Sequence, residues 1–250
     1  MPNTCPNPLF ALLLTLTGLL LTPICPAAPP ATAAPHDTPV VELRAVDNTG
    51  NDVLAIILSG DGGWADLDRD FGKAFQKKGI STVGFNCFNY FWQAREPDEV
   101  SRDVNAVLRH YLNAWHKHKL LLVGYSFGAS WLPFITNRLP PDLQARVTLV
   151  ALLAPAKFAN IEIKANDWFT DVHRPGALDV ISEAARIRLP ILCVYGAEQE
   201  GEALCPVLRG SNVRILRVPG GHHFNQDYAT VEDAILKYVE TVPQKPPSTK

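Results

Sequence analysis

Residues 119–128 read Lys119-Leu120-Leu121-Leu122-Val123-Gly124-Tyr125-Ser126-Phe127-Gly128, an apolar run that ends in a serine with a glycine two positions away on each side. The run has the length and composition of a buried strand. Phe127 to Leu139 follows with Trp131, Phe134, Ile135 and Leu139 at helical spacing. A strand, a sharp turn carrying a serine, and then a helix make a nucleophile elbow. The glycines have a steric reason. Such a serine holds a sparsely populated backbone angle, and side chains beside it would collide with the neighbouring strand and helix. The turn projects the hydroxyl beyond the sheet and aims the next backbone N–H where an oxyanion would form. The competing reading is an ordinary strand turn with a structural serine, so the rest of the chain must decide.

Around the elbow, strands alternate with helices. Val40 to Val46 suits an edge strand, and Val53 to Leu58 a fully buried one ending in the glycine-rich turn Ser59-Gly60-Asp61-Gly62-Gly63-Trp64. Asp66 to Lys78 reads as a helix stopped by Gly79, and Ile80 to Phe85 as a strand. Pro97 to His118 is the clearest helix, with Val100, Val104, Val107, Leu108, Tyr111, Leu112 and Trp115 on one stripe. Arg146 to Leu153, Ile191 to Tyr195 and Val213 to Val218 read as strands, and Gly176 to Arg186 and Thr230 to Val239 as helices. Residues 154–175 look irregular. This order implies an α/β fold with a mainly parallel central sheet and helices on both faces. A chain of 250 residues, 47% hydrophobic, suits one such domain. We place it at residues 53–242, after a leader and edge strand (34–52) and before a flexible tail (243–250).

Residues 9–21 are an uncharged apolar run, short for a membrane span and of the right length for a signal-peptide core. Ala31-Thr32-Ala33 offers a cleavage site, giving a signal peptide at 1–33 and export to the periplasm. No Lys or Arg precedes Arg44, so an uncleaved apolar anchor is the alternative. Thr22-Pro23-Ile24 before Cys25 is a poor lipoprotein box. Export permits disulfides. Cys193 and Cys205 bracket a short loop after a predicted strand and are paired; Cys87, among apolar neighbours, is a buried free thiol. The net charge of −2 and the absence of a Lys/Arg block argue against a nucleic-acid partner.

A serine hydroxyl is a weak nucleophile until a base takes its proton, and the base needs a partner that fixes its tautomer. The strand Arg214 to Val218 ends in Pro219-Gly220-Gly221-His222-His223-Phe224. His222, first after the glycines, is the expected base, and His223 the expected backbone-bonded loop histidine. Adjacent histidines without a Cys/His cluster make a poor metal site, so no metal and no cofactor are expected. The acid should follow Tyr195. The loop Gly196-Ala197-Glu198-Gln199-Glu200-Gly201-Glu202 offers three glutamates; Glu200 is favoured, with Glu198 the alternative. Oxyanion-hole donors are expected from the N–H of Phe127 and of Asp61 or Gly62. A carboxylate at Asp61 would oppose an oxyanion unless it turns away, bonds to neighbours or meets a cationic substrate group. Turn formation is its plainer role. Phe88-Asn89-Tyr90-Phe91-Trp92 and Asp167-Trp168-Phe169-Thr170-Asp171 could line a pocket, through Tyr90, Trp92 and Trp168, or touch a lipid surface; core packing is the alternative.

Leu58 to Trp64, Tyr90-Phe91-Trp92, Gly124 to Ala129, Leu132-Pro133-Phe134 with Asn137-Arg138-Leu139-Pro140, the Tyr195-Gly196 loop closing at Cys205, and Gly221-His222-His223-Phe224 together resemble the VirJ/AcvB bacterial virulence-protein family. The resemblance spans residues 53–228. It implies a periplasmic α/β-hydrolase with Ser126 as nucleophile and His222 as base, an ester hydrolase that removes an aminoacyl group such as lysyl from aminoacylated phosphatidylglycerol. It also implies links to type IV secretion components. Against that resemblance, no long N-terminal extension of the AcvB type is expected here, and the acid loop is one residue longer than the family pattern. Two other readings stand beside this one, a generic carboxylesterase or lipase and a non-catalytic partner of a secretion apparatus.

Overall fold

Alternation along each strand decides both faces of the central sheet. In the computed structural model, which describes residues 38–45, 51–164 and 174–241, Leu54, Ile56 and Leu58 point to one side and Val53, Ala55 and Ile57 to the other, all of them buried. A strand that is apolar on both faces has to be covered on both faces. The chain supplies the covers in order: β1 (Val40–Leu43), β2 (Val53–Leu58), α1 (Asp66–Lys77), β3 (Ser81–Phe85), α2 (Cys87–Tyr90), α3 (Pro97–Ala114), β4 (Lys119–Tyr125), α4 (Phe127–Asn137), α5 (Pro141–Gln144) and β5 (Val147–Leu153). The short β6 (Phe158–Ala159) and β7 (Leu178–Asp179) form a separate antiparallel pair. Then follow α6 (Val180–Ala185), β8 (Ile191–Gly196), β9 (Val213–Val218) and α7 (Tyr228–Thr241).

The seven-stranded sheet has the order β1-β3-β2-β4-β5-β8-β9. Every pair is parallel except β1 with β3 at the edge. Helices α3, α4 and α6 pack their apolar stripes on the face of Leu54, Leu122 and Leu152. Helices α1 and α7 cover the opposite face, that of Ile57, Val123 and Leu153. Each Leu or Ile removed from water in this way contributes roughly 1.5–3 kcal/mol. The far edge strand β9 has a single neighbour, which leaves Ile215 substantially exposed.

Several boundaries differ from the sequence reading for local reasons. Helix α3 starts at Pro97, whose fixed φ suits a first helical position, but it stops at Ala114 rather than His118. His116 takes a left-handed φ of 51°, which turns the chain so that the His118 N–H can bond to the Asp52 carbonyl ahead of β4. Helix α6 begins at Val180 because the Asp179 carboxylate caps the N–H groups of Ile181 and Ser182. Phe88 to Tyr90 belong to a helical turn, Cys87–Tyr90, whose cap is the Asn86 side chain. The edge strand placed with the leader is part of the sheet. The proposed signal peptide, the tail from Pro243 and the segment holding Trp168 lie outside the described residues.

A disulfide joins Cys193 in β8 to Cys205, with 5.5 Å between the Cα atoms, and Cys87 is a buried free thiol. The bridge closes the loop that carries residues 197–204, so it ties down the segment facing the histidine turn. Closing a loop of this length in the unfolded chain is worth about 3 kcal/mol. The double variant Cys193→Ala/Cys205→Ala should therefore unfold in urea with a stability lower by about that amount.

Candidate active site

In a parallel sheet the loops after the strand C-terminal ends share one rim. Here backbone hydrogen bonds stitch those loops together: Ser59 N–H to the Phe85 carbonyl, Ser126 N–H to Leu153, Ala154 N–H to Val194, and Glu198 N–H to Gly220. Ser126 lies between β4 and α4 with φ 53° and ψ −115°. A side chain on Gly124 would put its Cβ 2.7 Å from the Ala129 backbone, and one on Gly128 would come 2.4 Å from the Leu58 carbonyl oxygen. Only hydrogen fits at either place, and that close fit forces the serine outward.

The histidine turn is held in the same way. A Cβ on Gly196, the last residue of β8, would fall 2.1 Å from the Gly221 carbonyl oxygen, so the turn lies directly on the end of β8. Gly220 holds a left-handed φ of 90°. The result is that His222 Nε2 stands 2.7 Å from Ser126 Oγ. Its Nδ1 stands 3.1 Å from the Gln199 side-chain oxygen Oε1. With the Nδ1 hydrogen donated to that oxygen, the Nε2 lone pair is left to accept the serine proton. The Tyr125 hydroxyl anchors the turn, 3.3 Å from the His222 carbonyl and 2.7 Å from His223 Nδ1. His223 is thus an exposed residue tethered by the Tyr125 hydroxyl, and its neighbour faces the serine.

The acid side of the reading needs correction. Ala197 to Gln199 form one 3-10 turn, in which successive side chains are set about 120° apart. The third residue of the turn faces His222. Glu200 projects toward solvent and lies 3.4 Å from Arg217 Nε. The Glu198 carboxylate sits against Gly221, 3.4 Å from where a Cβ on that glycine would be. Gln199 was not among the candidates, because composition alone directs attention to carboxylates. Its position three residues after Gly196 was the available signal.

Phe127 opens α4, and the N–H groups of a first helical turn have no preceding turn to receive them. The loop of Gly60, Asp61 and Gly62 borders the serine: a Cβ on Gly60 would be 3.5 Å from Ser126 Cβ. Asp61 is half-buried, and its carboxylate makes no hydrogen bond or ion pair among the described residues. Tyr90 is not a pocket residue. It is 4% exposed, its hydroxyl donates to Asp103, and its ring packs against Phe85 and Phe91. Phe91 instead reaches the elbow, with its ring 4.9 Å from that of Phe127. Trp92 is 55% exposed beside Phe88. Burial pushes the Cys87 thiol far up, so it is no thiolate. Among the described residues no group of three or more His, Cys, Asp or Glu side chains could hold a metal ion.

Solved structures with the same architecture include Est1E from Butyrivibrio proteoclasticus, MenH from S. aureus and an alpha-beta serine hydrolase homologue from Coxiella burnetii. Est1E is 13% identical with a TM-score of 0.58, covering 81% of this chain and 94% of its own. MenH is 13% identical at 0.59, covering 80% and 97%. The Coxiella protein is 18% identical at 0.56, covering 79% and 89%. Sheet order, elbow and rim make this chain an α/β-hydrolase fold protein. No curated protein matches it in sequence. The family profile described as Bacterial virulence protein (VirJ) matches residues 52–242, and the chain belongs to that family.

One buried acid next to the rim carries a pH signature. Asp68, at the third position of α1, accepts the Ala65 N–H through Oδ2, while its Oδ1 is buried without a partner among the described residues. Burial raises its pKa from 3.8 to about 6. The folded state therefore holds this proton more tightly than the unfolded chain does. Stability falls as pH rises from about 4 to about 6, by up to roughly 3 kcal/mol, and the penalty is complete above that range. Asp68→Asn, which keeps the cap oxygen, should raise the urea midpoint at pH 7.5 and leave it nearly unchanged at pH 4.

Proposed function

We propose that the chain is a periplasmic serine hydrolase of carboxylic esters that removes an aminoacyl group, such as lysyl, from aminoacylated phosphatidylglycerol. The observation that carries the hydrolase reading is the 2.7 Å contact between Ser126 Oγ and His222 Nε2. In this reading His222 takes the hydroxyl proton as Ser126 attacks the ester carbonyl. The N–H groups of Phe127 and of Asp61 or Gly62 receive the oxyanion. Collapse expels the glycerol hydroxyl of the lipid, which takes the proton from His222 and leaves an aminoacyl ester on Ser126. Water, deprotonated by the same imidazole, then frees the amino acid and restores the serine.

Three features support the substrate. The family resemblance is one. The second is Asp61, a half-buried carboxylate that is unpaired among the described residues. It sits on the loop expected to bind an oxyanion, where a lone negative charge is unfavourable unless the substrate brings a positive one. An aminoacyl ester brings its ammonium group to within two bonds of the reacting carbonyl. The third is the exposed Trp92 with Phe88 near the rim, a pair suited to the polar–apolar boundary of a membrane. The Cys193–Cys205 disulfide agrees with an oxidising compartment.

Purified protein mixed with vesicles containing lysyl-phosphatidylglycerol should release free lysine, followed by chromatography. Ser126→Ala and His222→Ala should each lower the rate by at least about a thousand-fold. No release, with Ser126→Ala indistinguishable from the parent, would overturn the proposal. Asp61→Asn should raise KM for the lysyl lipid about ten-fold, as expected for loss of one charge contact, and should not slow turnover of the neutral ester 4-nitrophenyl acetate. An equal loss on both substrates would remove Asp61 as the ammonium site.

A further inference from the structure

The Nδ1 side of His222 meets an amide. In the Ser-His-acid template that place belongs to a carboxylate, which both fixes the imidazole tautomer and stabilises the imidazolium. We propose that Gln199 is the positioning residue for His222, holding it by tautomer and orientation and bringing no full negative charge to that hydrogen bond. The inference rests on the hydrolase reading above for its catalytic consequence and on the coordinates alone for the contact.

Four observations converge on this residue. Gln199 Oε1 lies 3.1 Å from His222 Nδ1. The 3-10 turn 197–199 fixes which side chain faces the ring. The turn is held at both ends, by the Glu198 N–H to the Gly220 carbonyl and by the Glu202 and Ala203 N–H groups to the Gln199 carbonyl. Of the two adjacent glutamates, Glu200 faces Arg217 on the solvent side and Glu198 lies against Gly221. Rotation of Gln199 would lose this hydrogen bond to His222.

The chemistry follows from donor and acceptor counting. The amide oxygen can only accept, so the Nδ1 atom must carry the hydrogen and Nε2 must carry the lone pair that faces Ser126. During attack the serine proton moves to Nε2, and Nδ1 keeps its hydrogen, donated to the Gln199 amide oxygen throughout. The amide dipole stabilises the resulting cation less than a carboxylate would. A glutamate at 199 should therefore make His222 a stronger base, and an apolar residue should free its tautomer.

Two measurements test this, one of which needs no turnover. In protein labelled with 15N-histidine, the His222 signals are assigned by their loss in His222→Ala. Wild type should show the Nδ1–H tautomer above its titration. Gln199→Leu should abolish that preference, and Gln199→Glu should raise the titration midpoint by about one pH unit or more. On 4-nitrophenyl acetate, Gln199→Leu should lower kcat about 10- to 100-fold with KM within about two-fold, and Gln199→Glu should restore or exceed wild type while moving the acidic limb of the pH profile upward. The proposal falls if His222 signals are the same in Gln199→Leu and wild type. It also falls if Glu198→Gln or Glu200→Gln moves those signals as far as Gln199→Leu does. If the signals behave as expected but wild-type protein turns over neither ester, the positioning role stands and the hydrolase reading fails.

Discussion

The chemistry proposed for the rim depends on one hydrogen bond, between side chains 96 residues apart in the chain, Ser126 and His222. A hydrogen bond of this kind adds only about 1 kcal/mol to stability and cannot by itself hold two loops in place. The backbone does the holding. Gly124 and Gly128 let α4 and the β2 loop close on the elbow, and Gly196 lets the histidine turn rest on the end of β8. Each contact leaves no room for a Cβ. The Ser126–His222 distance is thus set by the packing of main chain on main chain, which deforms far less than side-chain rotamers do.

The electrostatic setting at the rim leans negative. Cys87 and Tyr125 are both pushed up, first by burial and then by charges that include Asp68 and Asp61. Two groups on different elements therefore feel the same two carboxylates. A site built to receive an oxyanion does not ordinarily surround it with acids, since like charges in a partly desolvated space repel strongly. The arrangement fits the proposed substrate, which carries its own positive charge.

Much of the fold was legible before any coordinates. Strand runs such as Val53–Leu58 and Val147–Leu153 are apolar on both faces, and that pattern has few solutions besides a covered parallel sheet. The elbow was legible because Gly-x-Ser-x-Gly states a steric requirement directly. The pairing of Cys193 with Cys205 followed from loop length. Helix ends were less legible: α3 stops where His116 turns left-handed, a choice made by the path into β4 and not by helix propensity.

The sequence by itself determined the layered α/β architecture, the serine turn and the glycine–histidine turn, because each is written in local composition and spacing. Only the tertiary structure decided what meets what. Glu198, Gln199 and Glu200 are neighbours in one loop, and linear spacing cannot say which of them looks inward. The pitch of a single 3-10 turn, seated on Gly220, gives that place to Gln199 and sends Glu200 to Arg217. In the same way Tyr90 reads as a rim aromatic and becomes core, since its ring fits between Phe85 and Phe91 and its hydroxyl finds Asp103 on α3. Side-chain direction depends on contacts made across the fold, and those contacts exist only once the strands have paired.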